Sequence, residues 1–235
     1  NTNESGNVAI GSSALSALDN GTTAYTYNTA VGYNVGAAIT TGVHNTLIGG
    51  EAGDALTIGV NNIAIGYLAL SASIDGDHNV AIGTYALRNY EDGDGNGNNT
   101  AVGHASQTNA STGEFNTSLG SLSMGSGVTT GDGNTVLGYS AGLAITSGAE
   151  NVFIGSNAGD ALTTGYFNVG IGHEALSTED GHGYNVAVGH HALRVQNAGA
   201  DAYNVAVGYS AGLAVTTGTL NTLIGGLAGD ALTTG

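Results

Sequence analysis

One short pattern governs this chain: Asn, a β-branched residue, a usually small residue, an aliphatic residue and Gly. It begins at Asn7, Asn28, Asn45, Asn62, Asn79, Asn99, Asn116, Asn134, Asn151, Asn168, Asn185, Asn204 and Asn221, thirteen times in 235 residues. The basic spacing is 17 residues, and the longer spacings of 18 to 21 place their extra residues late in the unit, where loops absorb them. A larger repeat lies over it. The stretch NTAVGYNVGAAITTGVHNTLIGGEAGDALTIG from Asn28 is echoed from Asn134 and again from Asn204. A self-similar period this short is the mark of a solenoid, whose units cannot bury a core alone and must stack.

With the Asn as position 0, position 1 is Val, Ile or Thr, position 3 is Ile, Val or Leu, and position 4 is Gly in all thirteen units. Positions 1 and 3 share one face of a short strand. Position 2 is usually Ala but reaches Leu47, Phe153 or Leu223, so the opposite face also takes apolar bulk and both faces are expected to be covered. Position 7 is Ala, Ser or Val, and units typically close on Thr-Thr-Gly. A helix is disfavoured, because each internal Gly costs about 1 kcal/mol relative to Ala and the apolar spacing is two. The unit reads as one coil: strand, Gly corner, second short strand, polar turn.

Coils of this kind pair strand to strand at about 4.8 Å per step, so thirteen would extend about 60 Å. The repeated Asn has two expected roles: a left-handed corner residue, and a carboxamide that hydrogen-bonds up and down the stack. Gly at position 4 supplies a corner that a Cβ would obstruct. Pro is absent, as a chain whose N–H groups must nearly all donate between coils requires. The fold class is therefore all-β, a parallel β-solenoid of about thirteen coils, read as one domain over residues 1–235.

Composition narrows the function classes. Two Lys plus Arg against 18 Asp plus Glu give a formal charge of −16, which disfavours nucleic acid and anionic lipid as partners. Zero Cys removes disulfides, thiolate metal sites and Cys nucleophiles. No apolar run reaches membrane-spanning length, so no membrane insertion of this segment is expected. Leu, Ile, Val and Phe make up about a fifth of the residues, near the lower bound for a folded chain. Ala-rich coils bury little surface each, which favours oligomerisation through the second apolar face. The chain opens at Asn1 without Met or a leader, which reads as a piece of a longer protein.

The motifs NVAIG at Asn7 and Asn79, NIAIG at Asn62 and NVAVG at Asn185 and Asn204 resemble the head repeats of trimeric autotransporter adhesins. The 17-residue NTAVG…TTG unit is still more similar to repeats of bacteriophage tail-fibre proteins. The resemblance spans nearly the whole chain. It implies a left-handed parallel β-roll, a homotrimer, and an extracellular setting on a virion tail fibre or a cell surface. The period is longer than is usual in autotransporter heads, which favours the fibre.

Three groups of residues carry candidate chemistry. Asp92, Asp94 and Asn96 alternate before Gly97 in the insertion DGDGNGN, matching the first half of an oxygen-rich calcium loop. Gly103 stands where an EF-hand needs its bidentate Glu, so a looser calcium site competes with a solvated acidic turn. His173 and His190 share position 5 one coil apart, with His104 in the same column, a geometry able to hold a transition metal. Tyr33, Tyr67, Tyr139 and Tyr209 complete that column, which reads as a surface for a cell-surface glycan or protein receptor, or as rings stacked for stability. Asp54, Asp160 and Asp230 recur in AGDALT without a His or Ser constellation, and GIGHEA at Gly170 lacks the strand-helix unit of a dinucleotide site.

No catalytic residue and no required cofactor emerge from the sequence. The expected function is a non-enzymatic extracellular fibre or adhesin segment, a trimeric rod that positions or provides host attachment. A self-assembling filament or surface-layer component is the alternative. A flat ice- or mineral-binding face on Thr29, Thr46, Thr100 and Thr117 is a third reading, opposed by the alternation, which places these Thr inward.

Overall fold

The computed structural model describes residues 6–18, 25–91 and 96–235. The chain divides into two compact units, residues 1–115 and 116–235. Unit one carries β1 (Val8–Ile10), β2 (Thr29–Val31), β3 (Thr46–Ile48), β4 (Ile63–Ile65), β5 (Val80–Ile82) and β6 (Thr100–Val102). Unit two carries β7 (Thr117–Leu119), β8 (Thr135–Leu137), β9 (Val152–Ile154), β10 (Val169–Ile171), β11 (Val186–Val188), β12 (Val205–Val207) and β13 (Thr222–Ile224). Within each unit every strand pairs in parallel with the next in sequence, in a register that sets like positions side by side: Thr46 opposite Ile63, Val169 opposite Val186. The described residues contain no helix long and apolar enough to cross a membrane. The architecture is an all-β parallel β-solenoid, as the period predicts.

The Asn column is a continuous ladder inside each unit. Asn45 donates its backbone N–H to Asn28 Oδ1 at 2.9 Å, Asn62 does the same to Asn45 at 2.9 Å, and Asn79 to Asn62 at 2.9 Å. In unit two the chain of bonds runs from Asn116 to Asn221, at 2.9 to 3.2 Å. The Nδ2 group turns back to its own coil and donates to the carbonyl fourteen residues on, as from Asn45 to Gly59 at 2.8 Å and from Asn151 to Gly165 at 2.8 Å. Asn45 and Asn151 thus each link three backbone segments, which only a side chain with both donor and acceptor can do, whereas Asn185 Nδ2 donates instead to the Gly183 carbonyl at 3.3 Å.

The other expected role of Asn is corrected. The ladder Asn residues have no positive φ; the left-handed residue is the one before each of them, such as His44 (φ 60), Glu150 (φ 56), Tyr184 (φ 63) and Tyr203 (φ 53). The Asn itself opens the strand and must keep its N–H aimed along the stack, which a left-handed backbone would redirect. Three further positions carry positive φ in every coil: Gly at position 4, and the residues at positions 6 and 8, exemplified by Leu68 and Leu70. These replace the expected second strand with a turn, because alternate left-handed residues break the extended pleat. Coil-to-coil hydrogen bonding survives there, as from Leu70 N–H to the Ala86 carbonyl at 3.0 Å.

Gly at position 4 is fixed by contact as well as by φ. At Gly66 (φ 135), a Cβ would stand 2.6 Å from the carbonyl of Gly83 in the next coil. The neighbouring glycine corners approach backbone to backbone, leaving no room for a side chain.

The inward face of the strand is position 2, a second correction. Ala30, Leu47, Ala64, Val136, Phe153 and Ala187 are fully buried, while positions 1 and 3 are half-buried or exposed, Ile48 and Ile63 at 37% and Leu137 at 41%. In unit one Thr29, Thr46 and Thr100 are half-buried on this outer face, in a column interrupted by Ile63 and Val80, and in unit two Thr117 is exposed on the same face of its strand. The coil is narrow, so the bulky β-branched pair faces out and the small residue faces in. Positions 7, 8 and 11 complete the core, and each unit has its own. Volume is balanced within the coil: where position 8 is Gly, as at Gly53 and Gly159, position 11 is aliphatic (Leu56, Leu162) and position 2 can be Leu47 or Phe153. Where position 8 is Leu, position 11 varies: it is Ser73 after Leu70, Glu179 after Leu176 and Gln196 after Leu193, but Leu18 after Leu15 and Tyr90 after Leu87, all of them buried.

Candidate functional site

Position 5 follows the Gly corner and projects from each coil. Tyr33, Tyr67, Tyr139 and Tyr209 are exposed there, with His104, His173 and His190. Where three consecutive coils carry rings, the rings stack: His173 and His190 have centroids 5.2 Å apart at 15°, and His190 and Tyr209 lie 5.3 Å apart at 11°. Tyr67 and His104 are separated by a coil and meet Tyr85, from position 6, edge-on at 5.8 and 6.1 Å. Tyr33 and Tyr139 have no stacked ring partner among the described residues.

The register brings together more than position 5 predicts. His191 at position 6 lies 3.7 Å centroid to centroid from His190 and 5.6 Å from His173. Glu174, at position 6 of the preceding coil, lies 3.3 Å from His191 Nε2 and 3.9 Å from His173 Nε2, and forms an ion pair with Arg194 Nε at 2.7 Å. Burial, with the neighbouring His190 and Arg194, holds the His191 imidazole below its usual pKa. One ring nitrogen from each of the three His lies within 4.8 Å of the others.

A second aromatic column occupies the left-handed position before the ladder Asn. Tyr27 and His44 stack at 5.6 Å and 8°, Phe167 and Tyr184 at 5.4 Å, and Tyr184 and Tyr203 at 4.8 Å and 10°. Tyr166 packs edge-on against Phe167 and Tyr184, and the adjacent Asp201 carboxylate raises its phenol pKa. Counting each unit backward from its Asn would have exposed this column in the sequence.

The acidic insertion lies mostly outside the described residues: Asp92 and Asp94 are not among them. Asn96 is exposed, and its backbone carbonyl accepts from the buried Tyr90 hydroxyl at 3.0 Å. In unit two, Glu179 stands fully buried at position 11, where its Oε1 accepts from the His182 backbone N–H at 3.1 Å and lies 3.1 Å from His182 Nδ1. Gln196, one coil on at the same position, accepts from Asn204 Nδ2 at 2.7 Å. Asp54 and Asp160, at matching positions of equivalent coils, have carboxyl pKa values raised chiefly by burial, with Glu51 and Glu174 adding like charge.

Comparison with protein-family models, curated proteins and solved structures finds no match for this chain, so the family resemblance rests on the repeat residues themselves.

Proposed function

We propose that this chain is a non-enzymatic, extracellular fibre or adhesin segment that works as a homotrimer, positioning or providing attachment to a host or receptor. The observation that carries this reading is the outer strand face. In every coil of both units, positions 1 and 3 stand on the outside in like-over-like register: position 1 is Val, Ile or Thr and position 3 is always Ile, Val or Leu, two columns of branched side chains only partly covered by their own chain. A face this regular matches further copies of itself, since a copy in the same register meets equivalent residues at every coil. The inner core of Ala, Leu and Gly is thin, and packing the outer faces adds buried surface that each coil cannot supply alone.

The exposed Tyr and His columns support attachment. They set flat apolar rings with polar edges at repeated intervals, and a trimer multiplies each weak contact by its copies. The charge of −16 fits a surface that stays dispersed outside the cell and avoids nucleic acid.

Size-exclusion chromatography with light scattering tests the assembly. The expected result is a discrete trimer that Val169→Lys combined with Val188→Lys converts to monomer, while the far-ultraviolet signature of β-structure is kept. A wild-type monomer overturns the trimer, and mass that grows without limit with concentration favours a self-assembling filament. A glycan and cell-surface array screened with the trimer tests attachment; loss of any signal on Tyr209→Ala assigns it to the position 5 column.

A further inference from the structure

We propose that His173, His190 and His191 form a binding site for a divalent transition-metal ion, with Glu174 as the carboxylate beside it. The site is a product of the 17-residue register: β10 and β11 pair Val169 with Val186, and the position 5 residues that follow are His173 and His190, stacked at 5.2 Å. His191 then turns in at the left-handed position 6 (φ 59) and brings a third imidazole to 3.7 Å from His190. No other place among the described residues gathers three His.

The donor set defines the ion. Imidazole suits zinc, nickel and copper, whereas calcium and magnesium require oxygen ligands. Metal–nitrogen bonds of about 2.0–2.1 Å need ring nitrogens within about 4 Å of one another. The present spacing, within 4.8 Å, closes by side-chain rotation, which His173 and His190 are free to make because both are exposed. Glu174 touches two of the three rings, and its pairing with Arg194 at 2.7 Å holds it in place. A carboxylate against a ligating imidazole orients the ring and raises its basicity. The acidic chain concentrates cations around it.

Isothermal titration of the untagged full chain with nickel chloride, and separately with zinc chloride, tests the site. The expected result is one ion per chain, with affinity reduced about tenfold or more by His190→Asn or His173→Asn and unchanged by His104→Asn or His182→Asn. Circular dichroism and melting of the exposed-site variants confirm that they fold. Absence of binding by the wild-type chain, affinity that survives His190→Asn, or affinity lost instead on His182→Asn, the histidine beside buried Glu179, would each overturn the assignment.

Discussion

Asn134 Oδ1 accepts two hydrogen bonds from Asn151, at 3.1 Å from the backbone N–H and 3.0 Å from Nδ2, and both residues are fully buried. Asn151 Oδ1 in turn accepts the Asn168 backbone N–H at 2.9 Å, while Asn168 Nδ2 donates to the His182 carbonyl. Asn151→Ala therefore strands a buried N–H on one side and a carbonyl at Gly165 on the other. An unmet buried hydrogen-bonding group costs about 1–3 kcal/mol, so urea unfolding should show a loss of about 2–4 kcal/mol. Asn151→Asp should lose more at pH 7, because it adds a buried charge and removes the Nδ2 donor. A cost below that of an exposed Ser-to-Ala control, such as Ser147→Ala, would show that the ladder does not hold the coils.

Core volume is shared between coils. Phe153 fills the interior beside Gly159 of its own coil and Gly170 of the next, where an added Cβ would lie 2.7 Å from the ring. Gly170→Ala should destabilise by about 1–3 kcal/mol through overpacking, although Ala is the usual residue at that position. Combined with Phe153→Leu, the same substitution should cost less, with a coupling of about 1 kcal/mol or more in a double-mutant cycle. Additive effects would contradict the shared-volume account.

Burial raises the Asp160 carboxyl above its unfolded value of 3.8, and Glu174 adds to the shift. The folded state therefore holds that proton more tightly than the unfolded chain, and stability contributed by the protonated group is present below 3.8 and lost as pH rises through the raised folded value. Asp160→Asn, which cannot ionise, should melt higher than wild type at pH 7, and the difference should vanish as the pH falls to that of the unfolded carboxyl. A variant that melts lower by the same amount at both pH values would assign Asp160 a hydrogen-bonding role that outweighs its charge.

The Asn column and the Gly corner were legible in the sequence because each position admits one residue type, and a strict period survives insertions of up to four residues. The facing of the strand was not. Ile, Val and Leu at positions 1 and 3 outweigh Ala64 or Ala187 in hydrophobicity, yet the narrow coil admits the smaller residue, and bulk enters at Leu47 or Phe153 only beside Gly53 or Gly159. The stacking of His173 on His190 followed from their shared position. The inclusion of His191 and Glu174 did not, since it depends on left-handed residues at position 6 that Leu68, Ala105 and His191 occupy as readily as Asn157; no residue preference marks the turn. Glu179 gave no signal either, because beside a Leu at position 8 the buried position 11 holds Leu18 or Tyr90 as well as Ser73, Glu179 or Gln196, so no residue type marks it.

The account stands on like residues seventeen apart lying over one another with their Asn carboxamides in one column. A crystal structure fine enough to orient those carboxamides measures this directly. It should place Asn134, Asn151, Asn168 and Asn185 in line, each Oδ1 within hydrogen-bonding distance of the next Asn backbone N–H. Carboxamides that point to solvent, or strands paired in a register that sets Asn151 beside any residue other than Asn134 and Asn168, would contradict it.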